Sequence, residues 1–300
     1  MPLIDLRCDW ALQYAAESSQ YDPAAYAEIL PRLPRLDGYL MGTSLAVLGC
    51  RRKPADWAAQ ADPWHALGEM IARHAAEFSG RLLALPDDAA RWRAEPPGSL
   101  CWGVLAVDGL EHLVRSAEDL DRLPGLFARG VRVFGSLHGD LGRAHLERLL
   151  ELAPATGPRP ALDLAGGDSD GIAVVLDWFE ADASRSERML LFHSQGDALD
   201  ADSARRLRAL GGVIGVRPIG SAEVFRATIE ALAASPFRGK EGYEGIGVAT
   251  DFLGLDEVPA ELADVEKLEG WIAETFPPEA ASLLIADNAR RLALAVAGAS

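Results

Sequence analysis

Cysteine is scarce in this chain. Only Cys8, Cys50 and Cys101 occur among its 300 residues, an odd number with no CxxC pair. That excludes a disulfide framework and a zinc-finger site, and it fits a reduced, cytoplasmic setting. Basic residues are also in deficit, with 29 Lys and Arg against 45 Asp and Glu and a net charge of −16. Such an acidic chain is a poor partner for nucleic acid or an anionic membrane surface. The acidity reads as a solvated, solubilising surface and carries no information about fold. No run of about eighteen apolar residues occurs, so no membrane-spanning helix is expected. The opening MPLIDLRCDW lacks the basic stretch and apolar stretch of a signal peptide. No internal repeat or low-complexity segment stands out. The Pro/Gly-rich pieces Glu95–Gly98 and Ala155–Pro160 are short and read as loops.

What is present is a rhythm. The chain is 49% hydrophobic and 25% charged, ordinary for a globular protein with a sizeable core. Short apolar runs alternate with amphipathic segments. The candidate strands are Pro2–Arg7, Gly38–Val47, Cys101–Asp108, Val131–Leu137, Pro160–Ala165, Met189–His193, Val213–Arg217 and Gly245–Asp251. Helical spacing marks Leu141–Leu152, Ser203–Leu210 and Val224–Ala234. Apolar strands separated by helices indicate a parallel sheet covered on both faces. Eight such units in one chain point to a single TIM-like (β/α)8 barrel, residues 1–300 forming one domain, with an open α/β sheet as the alternative. Between the second and third strands, Pro54 to Trp92 holds a long helical insertion containing His65 and His74. Nine residues separate these two histidines, which places them on opposite helix faces and argues for a covering helix rather than a metal site.

In a barrel of this kind, function collects at the C-terminal ends of the strands. Asp5, Arg7 and Asp9 alternate along the first strand and are expected to point together into the barrel. Asp108 follows the third strand, His138 the fourth, Gly166 the fifth, His193 the sixth, Arg217 the seventh and Asp251 the eighth. Charged groups so placed need partners or a ligand. One reading is an internal salt-bridge network, with Arg7 paired to Asp5, Asp9 or Asp108. The other is a binding or catalytic site at the barrel mouth.

The same segments resemble, in order, those of the membrane dipeptidase (renal dipeptidase) family of metallopeptidases. IDLRCDW resembles the family's D-G-H-N-D strand, AEILPRLPRLDGYLMGTS its D-I-P-R-L-R-x-G-G region and GVLAVDG its E-G-G segment. ARGVRVFGSLH is similar to L-G-V-R-Y-M-T-L-T-H, PALDLAGG to I-D-L-S-H and LLFHSQ to F-S-H-S. GIGVATDFLG resembles G-I-G-S-D-F-D-G, and ADNARRLALAV the closing helix.

The resemblance implies a barrel with two zinc ions that activate a water to attack a dipeptide amide. It also implies a small peptide or amino-acid-like substrate and a homodimer. Position by position, the family's first metal pair falls on Arg7 and Asp9, and its bridging glutamate on Asp108. The two histidines of the second metal fall on Gly166 and His193. The substrate-facing histidine falls on His138, and the aspartate assigned to the substrate's amino group or to protonation falls on Asp251. Leu253 replaces a further family aspartate, and the loop Gln195–Ser203 lacks the arginine that holds the substrate carboxylate. A guanidinium cannot ligate a metal, so the two-zinc centre is not expected here. Two arrangements stay open. One divalent metal such as zinc is held by Asp9, Asp108 and His193, with Asp168 as a fourth ligand. Alternatively there is no metal, with Arg7 and Arg217 binding substrate and His138, His193 and Asp251 serving acid–base work. The expected function is accordingly a divergent dipeptidase-like hydrolase, with a non-catalytic binding or partner protein, or a repurposed biosynthetic enzyme, as the alternative. The loop after the fourth strand is short, HGD leading straight into the next helix, which should open one side of the site.

Overall fold

A computed structural model describes residues 2–8, 42–50, 60–96, 99–137, 139–154, 156–237, 242–252 and 258–299. All eight expected strands form: β1 (Leu3–Cys8), β2 (Thr43–Cys50), β3 (Trp102–Val107), β4 (Val131–Gly135), β5 (Ala161–Asp163), β6 (Leu190–His193), β7 (Val213–Val216) and β8 (Ile246–Val248). Each pairs in parallel with the next, in the order β1 through β8. A parallel bridge from Cys8 to Phe252 brings the last strand back to the first, so the sheet nearly closes as a (β/α)8 barrel. The second strand ends later than its apolar run suggested, at Cys50 rather than Val47, and the expected residues 38–41 lie outside the described residues.

Among the described residues the helical insertion is broken into two helices, and its expected start at Pro54 lies outside them. Among the described residues, α1 (Pro63–Glu77) and α2 (Pro86–Ala94) flank a segment that runs along β3. There Leu83 N donates to Gly103 O at 2.8 Å, and Gly103 N to Arg81 O at 2.9 Å. Pro86 explains the break, since proline is suited to the first turn of a helix and not to its interior. The expected opposition of the two histidines holds: His65 is exposed and His74 fully buried.

Among the described residues the remaining helices follow in sequence: α3 (Leu123–Ala128), α4 (Gly142–Leu152), α5 (Ser169–Glu180), α6 (Ser184–Arg188), α7 (Ala201–Ala209), α8 (Ala222–Ala234), α9 (Val265–Thr275), α10 (Pro278–Ser282) and α11 (Asn288–Val296). Side-chain caps fix several of their starts: Asp168 for α5, Asp200 for α7, Ser221 for α8 and Asp264 for α9. A π-helical turn, Leu283–Asp287, joins α10 to α11. The apolar face of α11 (Ala289, Leu292, Ala293, Val296) meets Ile4, Leu45, Val104 and Val133 near the strand starts, and α11 also touches β6, β7 and β8. A helix lying on the barrel's flank would meet only neighbouring strands, so α11 plugs the N-terminal end. No helix among the described residues is long and apolar enough to cross a membrane.

Two strand ends are tied by the same device. Asp5 Oδ1 accepts from the N–H of Arg7 (3.0 Å) and of Thr250 (2.8 Å), while its Oδ2 accepts from Thr250 Oγ1 (2.5 Å). Asp163 Oδ1 accepts from the N–H of Ala165 (3.0 Å) and of Ser194 (3.0 Å), while its Oδ2 accepts from Ser194 Oγ (2.6 Å). One clip joins β1 to the chain after β8, and the other joins β5 to the chain after β6. Both carboxyls are buried, so the donors are needed to replace lost water. Thr250→Val, nearly isosteric, should leave Asp5 short of one donor and lower stability by roughly 1–3 kcal/mol. Urea unfolding should show this with an unchanged far-UV spectrum, and an unshifted midpoint would refute a closing role for the clip.

Candidate functional site at the barrel mouth

Arg7 does not reach the mouth by simple alternation along β1. Leu6 already faces the barrel interior, where it packs against Gly215 and Gly247 of β7 and β8. A Cβ on Gly247 would lie 3.0 Å from Leu6 and one on Gly215 3.3 Å from it, so the two glycines ease the entry of Leu6, while Gly215 also makes room for Ala249 at 2.7 Å. Adjacent residues share the interior because the ladder slips: Asp5 pairs with Ala46 but Cys8 with Leu48, three steps on β1 against two on β2. This bulge re-aims Arg7. It corrects the expectation that Asp5, Arg7 and Asp9 form one inward row, since Asp5 is instead spent on the clip with Thr250.

The guanidinium of Arg7 is buried and spans the mouth. Its Nη2 donates to Asp108 Oδ2 at 2.7 Å, its Nη1 to Ser194 Oγ at 2.9 Å and its Nε to Asp251 Oδ1 at 3.1 Å. These acceptors follow β3, β6 and β8. Asp108 also accepts from its neighbour, Gly109 N to Oδ1 at 2.7 Å.

Asp251 is the one non-glycine residue with positive φ (51°) among the described residues. This backbone is disfavoured for any residue with a side chain, and it persists only when the surroundings impose it. They do: its N–H is held by Arg7 O at 3.0 Å, and its carboxylate lies between Arg7 and Arg217, whose Nη1 reaches Oδ2 at 3.4 Å. Arg217 grips Asp197 with two parallel bonds of 2.9 and 2.7 Å. Hydrogen bonding to Asp197 outweighs burial and holds the Arg217 guanidinium above its usual pKa.

His193 ends β6 and is buried. Its Nδ1 accepts from Gln195 N at 3.1 Å, which leaves the proton of the neutral ring on Nε2. Burial pushes its pKa down to about 4; Asp197 opposes this, while Arg217 and Arg7 add to it. The imidazole is therefore neutral near pH 7. Burial pushes the Asp163 carboxyl up, with Arg7 opposing and Asp108 reinforcing the shift.

The structure thus brings together Arg7, Asp108, His193, Arg217 and Asp251, as the strand-end positions suggested. Asp9, His138 and Leu253 lie outside the described residues. Asp168 does not join the mouth. Its exposed side chain caps α5 through Gly171 N at 2.8 Å. Gly166 adopts φ +87°, a backbone that suits glycine and disfavours an imidazole-bearing residue. Sequence reasoning missed Asp163, Ser194 and Asp197. The first carried a signal, because Leu162-Asp163-Leu164 echoes Ile4-Asp5-Leu6 at the other clip. Asp197 lies in the loop after β6, where no periodicity marks it.

The described residues do not fit a two-metal centre. Asp108, which the resemblance aligns with a bridging glutamate, has both oxygens engaged, one by Arg7 and one by Gly109. Gly166 offers no ligand. No group of three His, Cys, Asp or Glu is placed to hold a metal among the described residues. The three thiols are buried and form no disulfide. Burial pushes the Cys50 thiol up to about 12 and raises Cys101 as well, which unsuits both as nucleophiles.

No protein-family model and no curated protein sequence matches the chain. Solved structures do match its fold. The dipeptidase AC, a metallopeptidase of family M19, is 15% identical with a TM-score of 0.68, the match covering 100% of this chain and 99% of that one. A metallopeptidase from Rhodobacter sphaeroides, bound to a phosphinate mimic of the dipeptide L-Ala-D-Ala, is 14% identical with a TM-score of 0.67, covering 99% of each chain. An amidohydrolase from Pseudomonas aeruginosa is 11% identical with a TM-score of 0.61, covering 99% of this chain and 97% of that one. The fold is that of the dipeptidase-like metallopeptidases, as the ordered strand-end segments led one to expect.

The neutral histidines have a consequence for stability. Burial pushes His74, like His193, down to about 4. In the unfolded chain a histidine takes up its proton near pH 6.5. Between about pH 6.5 and 4 the unfolded state therefore binds more protons, and stability falls as pH drops through that window. Each buried imidazole accounts for on the order of 3 kcal/mol of that loss. Urea midpoints should be flat above pH 7 and decline below pH 6.5, and His74→Leu should make the decline shallower. A flat profile down to pH 4.5 would contradict the buried neutral state.

Proposed function

We propose that this barrel is a divergent dipeptidase-like hydrolase, one domain over residues 1–300, that cleaves an amide in a small peptide or amino-acid conjugate. The observation that carries this reading is His193: a neutral imidazole with Nδ1 fixed by the backbone, set in the field of Arg7 and Arg217. With its proton on Nε2, His193 is placed to donate to the oxygen of an attacked carbonyl. The positive field of the two guanidiniums then favours the oxyanion that develops. Asp251 and His138, the latter following β4, are assigned the proton of the attacking water. Arg217 has a half-buried side chain (17% exposed) and is more open than Arg7 (5%), so it is the better placed to meet a substrate carboxylate. Among the described mouth residues, Asp108, Asp163, Asp197 and Asp251 outnumber these two arginines, which suits the ammonium end of an amino acid.

A second reading, a non-catalytic binding protein, has its own support: every mouth carboxylate named above already has an internal partner. The two readings separate on a panel of L,L- and L,D-dipeptides and N-acyl amino acids. On the hydrolase reading, His193→Asn and Asp251→Asn each lower kcat by about 10²–10⁴-fold, with KM changed much less. Arg217→Ala raises KM by roughly tenfold, the loss of about 1.4 kcal/mol of binding. Binding of a panel member without turnover, at an affinity that His193→Asn leaves untouched, would favour the binding protein.

A further inference from the structure

We infer that Arg7 is the resident cation of the barrel mouth, and that the protein operates without a metal ion because this guanidinium permanently fills the cation position. The inference is independent of the reaction proposed above. It starts from three oxygens on three separate strand ends: Asp108 Oδ2, Ser194 Oγ and Asp251 Oδ1, at 2.7, 2.9 and 3.1 Å from three different nitrogens of one guanidinium. That is the match between a planar fork and its acceptors. Each acceptor is oriented by something other than the guanidinium it meets. The second oxygen of Asp108 holds Gly109 N, the Ser194 hydroxyl donates to Asp163 and so turns a lone pair toward Arg7, and Asp251 is seated by its N–H on Arg7 O. Arg7 itself is oriented by the β1 bulge and by its own N–H on Asp5. The cage is thus built for a +1 charge of this shape.

A divalent ion cannot enter it cheaply. It would have to take Asp108 or Asp251 from a guanidinium whose side chain is only 5% exposed, leaving that charge buried and under-compensated. It would also face the repulsion of a cation that does not lose its proton at any accessible pH. The electrostatic place of a metal is kept, without metal ligation.

Two measurements on the full chain test this, and neither needs an assay of activity. Elemental analysis of protein purified without chelator should find no stoichiometric transition metal, and Tm should be unmoved by EDTA or by added zinc or manganese. A full equivalent of metal, removed by chelator with a fall in Tm, would overturn the inference. The second measurement is chemical rescue. Arg7→Ala should lower Tm by roughly 5–10 °C, and guanidinium ion at low millimolar concentration should restore part of it. Tetramethylammonium at the same ionic strength should not. Equal rescue by both ions, or by neither, would overturn the shape-matched cage. Should Arg7→Ala fail to fold, Arg7→Lys keeps the charge and loses the fork. Its Tm should then lie well below wild type, and a wild-type Tm would count against the cage.

Discussion

The guanidinium of Arg7 joins four strand ends that are far apart in sequence. It leaves β1 and binds groups after β3, β6 and β8, so the geometry of the mouth depends on one side chain. Such a buried charge cluster is poor evidence of stability, because desolvation of the ions offsets most of the attraction between them. What it supplies is arrangement. With Arg7 in place, Asp251 accepts an unfavourable backbone conformation, Ser194 has a fixed hydroxyl and Asp108 a fixed carboxylate. Arg217 and Asp197 extend the same network outward by one bidentate pair.

That arrangement is possible because the scaffold prepares it. The two aspartate clips hold the chain just beyond β8 and just beyond β6, the two places from which Asp251, Ser194 and His193 project. The bulge in β1 lets Leu6 fill the barrel while Arg7 crosses its mouth. The glycines of β7 and β8 make room for Leu6. At the other end α11 closes the barrel, so the mouth is the open face, as this architecture generally requires for function. The neutral state of His193 follows from the same packing: burial removes its charge, and the guanidiniums nearby reinforce the removal.

Much of this was legible before the structure. Eight apolar runs in alternation with helical segments specify a parallel barrel, because the pattern depends on local periodicity and on which faces are buried. The strand-end residues Arg7, Asp108, His193, Arg217 and Asp251 were legible for the same reason, since the end of each run marks the mouth. Their pairing was only partly legible. Arg7 with Asp108 was among the pairs considered, but Asp251 and Ser194 were not, and Asp5 turned out to serve a clip. The insertion between β2 and β3 showed helical spacing throughout, yet the stretch before Pro86 pairs with β3 instead. A helical pattern does not reveal that a neighbouring strand offers better backbone partners.

The sequence by itself determined the barrel, the order of its strands and the loss of metal-ligating residue types at positions 7 and 166. The barrel and its strand order follow from periodicity, which acts locally; the residue types at positions 7 and 166 count as missing ligands only through the resemblance to the dipeptidase segments. Only the tertiary structure decided what replaced them. Whether a guanidinium at position 7 points into the mouth depends on a one-residue register slip between β1 and β2. Whether it is neutralised depends on carboxylates about 100 and 244 residues away. Whether position 166 readily carries a side chain depends on a left-handed backbone turn, since the space around it is open. Each of these is set by contacts between distant segments, and a linear pattern carries no record of such contacts until the chain has folded.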